Sequence, residues 1–404
     1  MFDFLRRDWR QTLELEDACI YPQTDDSRPP RVRGGVRHKD LPRAFHHVSQ
    51  LNRQALGTDH DWLNSQPMPT TRLEGHGLFG GTFFNHYGHF MAESLHRLWA
   101  WHEGAGRYDY IAIVPHVDKP HVKTSTDGLL GFQRQALEYL AIPLDKLRLI
   151  KSPVVAEHLT VPAQASIFGQ RRARAKGYTA FMAEREAQFF ARYQPATITP
   201  PERIYVSRSP YLSRGSYAGE RYVEQMLAED GYYILRPETM PLAEQLHYYR
   251  HAKQIVFAEG SAIHTTELLG TFDAEVVVIL RRRNTYRQWV PLLHKRCDRL
   301  AVFKDAATLP HLAVKRDGAP AGSLSLTVIE PGSLAKFLQA KGFTRNNNFD
   351  ERAFWQMEAA DVARYLLTIR LNHTFANGMM EANLKAFRQA LQQRPNPYLK
   401  DTPL

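Results

Sequence analysis

Apolar positions along the chain gather into short buried runs separated by longer amphipathic stretches. The alternation is most regular from Pro201 to Leu280. There the pattern predicts strands at 203–207, 232–235, 254–258 and 275–280, and helices at 219–229, 241–251 and 261–269, with glycine or proline at most joints. Upstream, RLEGHGLFGGTFF from Arg72 reads as short strands broken by glycine turns. HFMAESLHRLWAWHE (89–103) reads as a helix, Tyr110 to Val114 as a buried strand, 132–140 as a helix, and 147–150 and 154–161 as strands. Strand-like runs alternating with helical ones predict an α/β protein with parallel sheet covered by helices. Two Rossmann-like domains facing a cleft, with ligands at the carboxyl ends of the strands, is the economical architecture.

The expected division is a first Rossmann-like domain over 1–165, a polar helical connector over 166–200, a second such domain over 201–310 and a C-terminal extension over 311–404. The extension carries a strand at 324–329 and helices near 331–341, 350–370 and 374–393, and is expected to pack back on the N-terminal domain. The first seventy residues are rich in Pro, Arg and His without a sustained period, which predicts irregular structure.

Composition narrows the class. A chain of 404 residues exceeds one ordinary core, and 43% apolar with 23% charged residues is the balance of a folded, water-exposed protein. The opening MFDFLRRDWRQTLELED lacks an apolar signal region and no later run reaches the length of a membrane span, so the expected compartment is the cytoplasm. Cys19 and Cys297 are the only cysteines, too few for a disulfide framework or a cysteine zinc site. The formal charge of +10 predicts an anionic partner: a nucleotide, an acidic glycan or, peripherally, an anionic inner-membrane face. The densest basic runs, Arg171 to Lys176 and Arg281 to Arg283, read as solvated faces. They lack the interleaved aromatics of a nucleic-acid platform, and nucleic acid is not an expected partner.

Two stretches carry candidate chemistry. The run VFAEGSAIH (256–264) is a buried strand that breaks at Gly260 and Ser261 and restarts as a helix, a geometry that exposes backbone N–H groups to a phosphate. Arg208 and Arg214, in RIYVSRSPYLSRG (203–215), follow another strand's carboxyl end and can meet the same anion. Further upstream, His89, Glu93 and Arg97 stand at helical i, i+4, i+8 spacing and predict one polar face. On it an imidazole can accept a hydroxyl proton while a carboxylate orients it. A helix-stabilising pair accounts for the same spacing. His86, His89, Glu93 and His96 give partial metal-ligand spacings without an established metal signature, so neither a metal nor another cofactor is expected.

These elements, in their order, resemble glycosyltransferase family 61. Asn85-His-Tyr-Gly-His-Phe-Met-Ala-Glu-Ser-Leu-His-Arg-Leu98 is similar to its aromatic-His, acidic, Leu-x-Arg segment. Ile204 to Arg208 with Arg214 and Glu220 is similar to its Ser-Arg, Arg, Asn-Glu series, and Gly231 to Glu238, Glu244-Gln245 and the turn at 259–262 complete the match. Gly219 stands where the family has Asn, and Glu259 where it often has His. The resemblance implies a GT-B-like fold, with a nucleotide-sugar donor bound by the 201–310 domain and a glycan or glycolipid acceptor on the side of the N-terminal domain over 1–165. On that footing the expected activity is inverting, metal-independent sugar transfer in surface polysaccharide (capsule) biosynthesis. His89 and Glu93 are the expected catalytic pair, and Arg208, Arg214, Gly260, Ser261, His264 and Glu267 the expected donor site. Glu267 is the candidate ribose contact because a Glu-x7-Glu spacing from Glu259 also occurs in retaining GT-B enzymes. The competing readings are a degenerate module that binds a nucleotide-sugar or anionic glycan without turnover, and a metal-dependent hydrolase built on the histidines.

Overall fold

The computed structural model describes residues 9–24, 31–51, 54–104, 106–116, 127–168, 177–193, 199–312, 324–345, 349–371 and 377–400. The basic run at 171–176 lies outside them. The architecture is mixed α/β, built around two sheets with parallel pairing.

The second half follows the predicted alternation closely and adds one strand, Arg299–Phe303, that the pattern does not predict. Strands Arg203–Val206, Tyr233–Leu235, Gln254–Ala258, Glu275–Ile279 and Arg299–Phe303 form one five-stranded parallel sheet. The chain starts in Arg203–Val206, steps outward to Tyr233–Leu235, then returns to the other side of the first strand with Gln254–Ala258. That reversal makes a topological switch point between the carboxyl ends of Arg203–Val206 and Gln254–Ala258, where open α/β sheets leave a crevice. Ile204, Val206, Ile255, Val256, Phe257, Val277 and Val278 are all buried, as expected of strands covered on both faces.

The first sheet has six strands in the order Gly35–Arg37, Thr12–Tyr21, Val154–Pro162, Arg72–Phe83, Tyr110–Pro115 and Leu147–Leu149. The last four are mutually parallel, and Thr12–Tyr21 is antiparallel to both of its neighbours, Gly35–Arg37 and Val154–Pro162. Thr12–Tyr21 corrects the expectation of irregular structure before residue 70. Its exposed face carries Glu14, Glu16 and Asp17, and this acidic cluster hides the alternation that buries Leu15, Ala18 and Ile20. Arg72–Phe83 is likewise one twelve-residue strand, not several short ones. Two of its glycines mark bulges. Gly75 (φ +82°) and Gly81 (φ +96°) fall where the pairing register shifts, in a backbone region that side chains disfavour.

The predicted helix at 89–103 is broken. It consists of a turn at Tyr87–His89, a π-helical turn at Phe90–Ser94 and a separate helix at Trp99–Glu103. Outside partners take up its polar groups: the Ser94 hydroxyl accepts from the Phe84 N–H at 3.1 Å, and the His96 carbonyl accepts from the Ala165 N–H at 2.9 Å. A carbonyl engaged from outside weakens the i to i+4 ladder at that point, and π-turns of this kind concentrate at functional sites.

One apolar cluster runs through both halves. It joins Leu78, Ile111 and Ile113 of the first sheet to Ile204, Val206 and Ile255 of the second, by way of Leu137 and Phe181 on the intervening helices. The connector forms the helix Tyr178–Phe190. The C-terminal segment supplies helices Pro331–Ala340, Glu351–Leu371 and Asn377–Gln392, and its main packing is against the second sheet, not the N-terminal half as expected. Leu334, Leu338 and Phe354 join Tyr205, Tyr217 and Val256 in one cluster. Among the described residues, no helix is long and apolar enough to cross a membrane.

Gly81→Ala tests the bulge. It forces a side chain into a positive-φ position and places a Cβ 3.2 Å from Cδ of Arg97. The expected loss is about 1–2 kcal/mol of unfolding free energy in urea titration, from the backbone conformation alone.

Candidate functional site

Three neighbouring strands of the parallel sheet release their carboxyl ends on one edge. Arg203–Val206 leads to Ser207 and Arg208, Gln254–Ala258 to Glu259 and Gly260, and Glu275–Ile279 to Arg281 and Arg282. The Arg208 loop is fixed by two buried carboxylates. Glu220 accepts from the Arg208 N–H at 2.7 Å, the Ser216 hydroxyl at 2.6 Å and the Tyr205 hydroxyl at 3.0 Å. Glu224, one turn further on, accepts from the Ser207 and Ser209 hydroxyls at 2.5 and 2.7 Å. Burial still lifts the Glu220 carboxyl above its ordinary range despite these donors.

The Arg208 guanidinium folds along its own loop. Nε donates to the Gly215 carbonyl at 3.1 Å and Nη2 to the Arg214 carbonyl at 3.2 Å, while Nη1 lies over Gly260. The approach is so close that a Cβ at position 260 would sit 2.3 Å from Nη1. A side chain at position 260 would therefore displace the Arg208 guanidinium from this place, although the extended Gly260 backbone would itself accept one. Arg214 is exposed on the rim of the same loop. The charges of Arg208 and Arg214 both oppose the rise that burial gives the Tyr211 phenol.

After Gly260 the chain enters a 3-10 helix, Ser261–Leu268, in place of the predicted helix over 261–269. Its far end is held by the buried Arg296, which donates to the carbonyls of Thr266, Leu269 (2.8 Å) and Gly270 (3.1 Å). His264 is buried between the rings of Trp289 (4.9 Å) and Phe168 (5.1 Å), with Nδ1 3.7 Å from Oε1 of Glu267. Glu267 is itself buried, so its carboxylate faces this interior pair.

The broken helix of the first half lies directly on this 3-10 helix. The Tyr87 and Thr265 hydroxyls are 2.6 Å apart, and a Cβ at Gly88 would lie 3.0 Å from the Ser261 hydroxyl oxygen and 3.2 Å from the His264 ring. His89 follows at once. Its Nδ1 meets Oε1 of Glu93 at 2.5 Å, and the other Glu93 oxygen meets Nε2 of His47 at 3.1 Å. Side-chain exposure is 42% for His89 and 3% for Glu93, so the imidazole reaches solvent from a buried anchor. Burial alone would raise the Glu93 carboxyl. The hydrogen bonds and charges of His47 and His89 outweigh it and hold the group well below the usual carboxylate range. For His89 the balance is the same in mirror image: burial would lower its pKa, but the bond to Glu93 and its charge raise it.

The structure thus brings His89, Glu93, Gly260, Ser261, His264 and Arg208 into one contiguous region and sets Arg214 on its rim. It corrects two expectations. Arg97 leaves the predicted polar face and is buried, donating to the carbonyls of Pro162, Phe45 (2.8 Å) and His46 (3.0 Å). The 281–283 run is not simply a solvated face. Arg281 is buried, and Glu259, fully buried, accepts from the Arg281 and Arg282 N–H groups and from the Arg282 guanidinium at 2.8 Å. Burial, only partly offset by Glu259, brings the Arg281 pKa down to about 10, which leaves it charged at neutral pH. His96 turns away to the Tyr178 hydroxyl at 3.1 Å, and among the described residues no group of three or more His, Cys, Asp or Glu comes together as a metal site.

His47, Arg281 and Arg282 escaped the sequence reading of the site. His47 sits in a stretch with no periodic signal, and nothing local distinguishes a buried arginine run from a solvated one. A separate cavity of about 1140 Å³ on the first sheet, lined by Glu14, Arg37, His76 and Arg107 among others, shares no residue with this region.

Residues 87–269 match the family described as Glycosyltransferase 61. The matched segment begins at Tyr87 and ends at Leu269, so it is bounded by the two elements that touch. No curated protein matches the chain.

Glu259→Gln should cost about 3–5 kcal/mol of stability at neutral pH, since it leaves two guanidinia short of their counter-charge. Burial opposes ionisation of Glu259, but the charges of Arg282 and Arg281 prevail and its folded pKa lies below the ordinary 4.5. The pair's stabilisation is therefore complete above the unfolded carboxyl's pKa and fades as pH falls through the folded one. Urea titrations across pH should show the gap between wild type and variant narrowing in acid.

Proposed function

The chain belongs to glycosyltransferase family 61 through residues 87–269, and from that premise we propose that it moves a sugar from a nucleotide-sugar donor to a hydroxyl of a glycan or glycolipid acceptor. The observation that carries this reading is the contact of Gly88 with Ser261 and His264, which puts a histidine-carboxylate pair beside an arginine-lined Gly-Ser turn. The two sheets act as the halves of a GT-B-like enzyme, with the reaction between them. Capsule or other surface polysaccharide synthesis, at the cytoplasmic membrane face, is the setting that suits such an acceptor.

The donor diphosphate lies on Arg208 and the backbone N–H groups that open the Ser261–Leu268 helix, with Arg281 and Arg282 adding positive field behind. Arg214 closes the rim. The first N–H groups of a helix have no intrahelical acceptor, which suits them to phosphate oxygens. His264 and Glu267 support this turn from the inside, which replaces the expected ribose contact of Glu267 with a positioning role.

In the chemical step the acceptor oxygen attacks the anomeric carbon as the bond from that carbon to the phosphate oxygen breaks. The electron pair leaves with the diphosphate, whose growing charge the guanidinia stabilise, and the hydroxyl proton passes to Nε2 of His89. Glu93 holds Nδ1 and stabilises the imidazolium that forms. Attack opposite to the leaving group inverts the anomeric centre. Because guanidinia supply the charge, the reaction proceeds without a divalent ion, and EDTA should leave the rate largely intact.

Two measurements test the proposal. A uridine or cytidine diphosphate at about one hundred times its Kd should stabilise the wild type by about 2.7 kcal/mol, read as a rise in Tm, and Arg208→Ala should abolish most of that rise. An undiminished shift in Arg208→Ala removes the diphosphate assignment.

His89→Ala should lower kcat by roughly 100-fold while the donor's Kd stays near wild type. Since a base works only when neutral and the His89 pKa is raised from 6.5, the rate should climb with pH through a midpoint above that value. Glu93→Gln removes the charge that raises it, so the acid limb should move to lower pH as the plateau falls. Nucleotide release measured over a donor panel provides both readings, and a full-rate His89→Ala enzyme refutes the base.

A further inference from the structure

Building on the assignment of His89 as the base, we infer that His47, outside the family-matched segment, is a positioning residue for the same reaction. By holding the second oxygen of Glu93 it limits how strongly that carboxylate binds the proton on His89.

The geometry is that of one buried carboxylate shared by two imidazoles, with Oε1 on His89 and Oε2 on His47. The chain invests heavily in presenting His47. Arg97 grips the two preceding carbonyls, those of Phe45 and His46. Gln164 brackets the following residue, donating to the Val48 carbonyl at 3.1 Å and accepting from the Val48 N–H at 3.4 Å. The His47 carbonyl itself accepts from the Thr58 N–H at 3.3 Å. Its ring rests 5.5 Å from the ring of Phe84, which lies 5.7 Å from His89. The backbone that carries this largely buried imidazole is thus fixed from three directions, and the ring is aimed at a carboxylate.

The physical consequence has a definite sign. A hydrogen bond donated to Oε2 draws charge away from Oε1, so the imidazolium of His89 is stabilised less than it would be by an unshared carboxylate. A positive charge on His47 acts in the same direction. Without His47 the buried Glu93 relies on His89 alone, and His89 holds its proton to higher pH. The other groups facing His89 are His86 at 5.2 Å on its own turn, His116 beyond Phe84, and His264 with Glu267 behind Phe168. None of these is altered by substituting His47. His47 therefore keeps the base free at neutral pH instead of locked as an imidazolium.

The experiment compares wild type with His47→Phe and His47→Ala, which lack the donor, and His47→Gln, which retains an N–H at similar reach. NMR titration of the His89 ring, assigned by its loss in His89→Ala, is read beside the pH dependence of kcat. In the donor-less variants both midpoints should move up by roughly one unit, giving about tenfold slower turnover below the midpoint with the donor's KM unchanged. His47→Gln should return both toward wild type. An unmoved His89 titration in a folded donor-less variant overturns the inference, as does a Gln variant no different from Ala. If neither donor-less variant folds, His47 is structural and the inference also falls. The NMR reading needs no turnover. A failure of His89 as the base, seen as full activity in His89→Ala, is therefore distinguishable from a failure of the coupling.

Discussion

The rest of the structure depends on one close contact, the seating of the Tyr87–His89 turn on the 3-10 helix Ser261–Leu268. Two glycines permit it. Gly88 lets the first turn reach Ser261 and His264 without a side chain between them, and Gly260 lets the Arg208 guanidinium lie flat on the start of the second. Through these two positions a strand end and a helix start become neighbours of a turn far upstream, the Tyr87 and Thr265 that meet being 178 residues apart in sequence. The Tyr87–Thr265 hydrogen bond and the apolar cluster running through both sheets hold the contact in register. Because protein interiors are close-packed, such a seat tolerates little adjustment and transmits small displacements directly to the groups it carries.

Charge around this seat is buried but matched. Glu93 is shared by His47 and His89, Glu259 by Arg281 and Arg282, and Glu220 gathers hydroxyl and backbone donors under the Arg208 loop. An unpaired buried charge would cost several kcal/mol, so each carboxylate fixes its partners' positions as firmly as they fix its own. The two ends of the site differ in consequence. At the strand ends, pairing leaves an excess of guanidinium charge suited to phosphate oxygens. At the π-turn, pairing leaves a half-exposed imidazole with a raised proton affinity.

How much of this could be read from the sequence varies by element. The central strands of the parallel sheet, Arg203–Val206, Gln254–Ala258 and Glu275–Ile279, were legible almost residue by residue as apolar runs buried on both faces, whereas the partly exposed Arg299–Phe303 was missed. Thr12–Tyr21 was hidden by its acidic outer face. The helix expected at 89–103 failed for another reason: its apolar period is genuine, but Ala165 and Phe84 claim polar groups at His96 and Ser94 from outside, and such tertiary competition leaves no local trace. The same applies to the site. Arg208, Gly260 and the His89–Glu93 pair announce themselves by local spacing. Arg97 looked like part of their polar face because helical periodicity was extended past the point where the helix breaks. His47 reaches Glu93 only through long-range clamps from Arg97 and Gln164, which no spacing rule anticipates.

The most direct test of a single site built across this contact is a crystal structure of the protein with an unreactive nucleotide-sugar. The account predicts the diphosphate against Arg208 and the backbone of Gly260 and Ser261, with the sugar's anomeric carbon turned toward Nε2 of His89 and room between them for one hydroxyl. A nucleotide bound elsewhere, such as the cavity lined by Glu14, Arg37 and Arg107, or one whose sugar points away from His89, would contradict it.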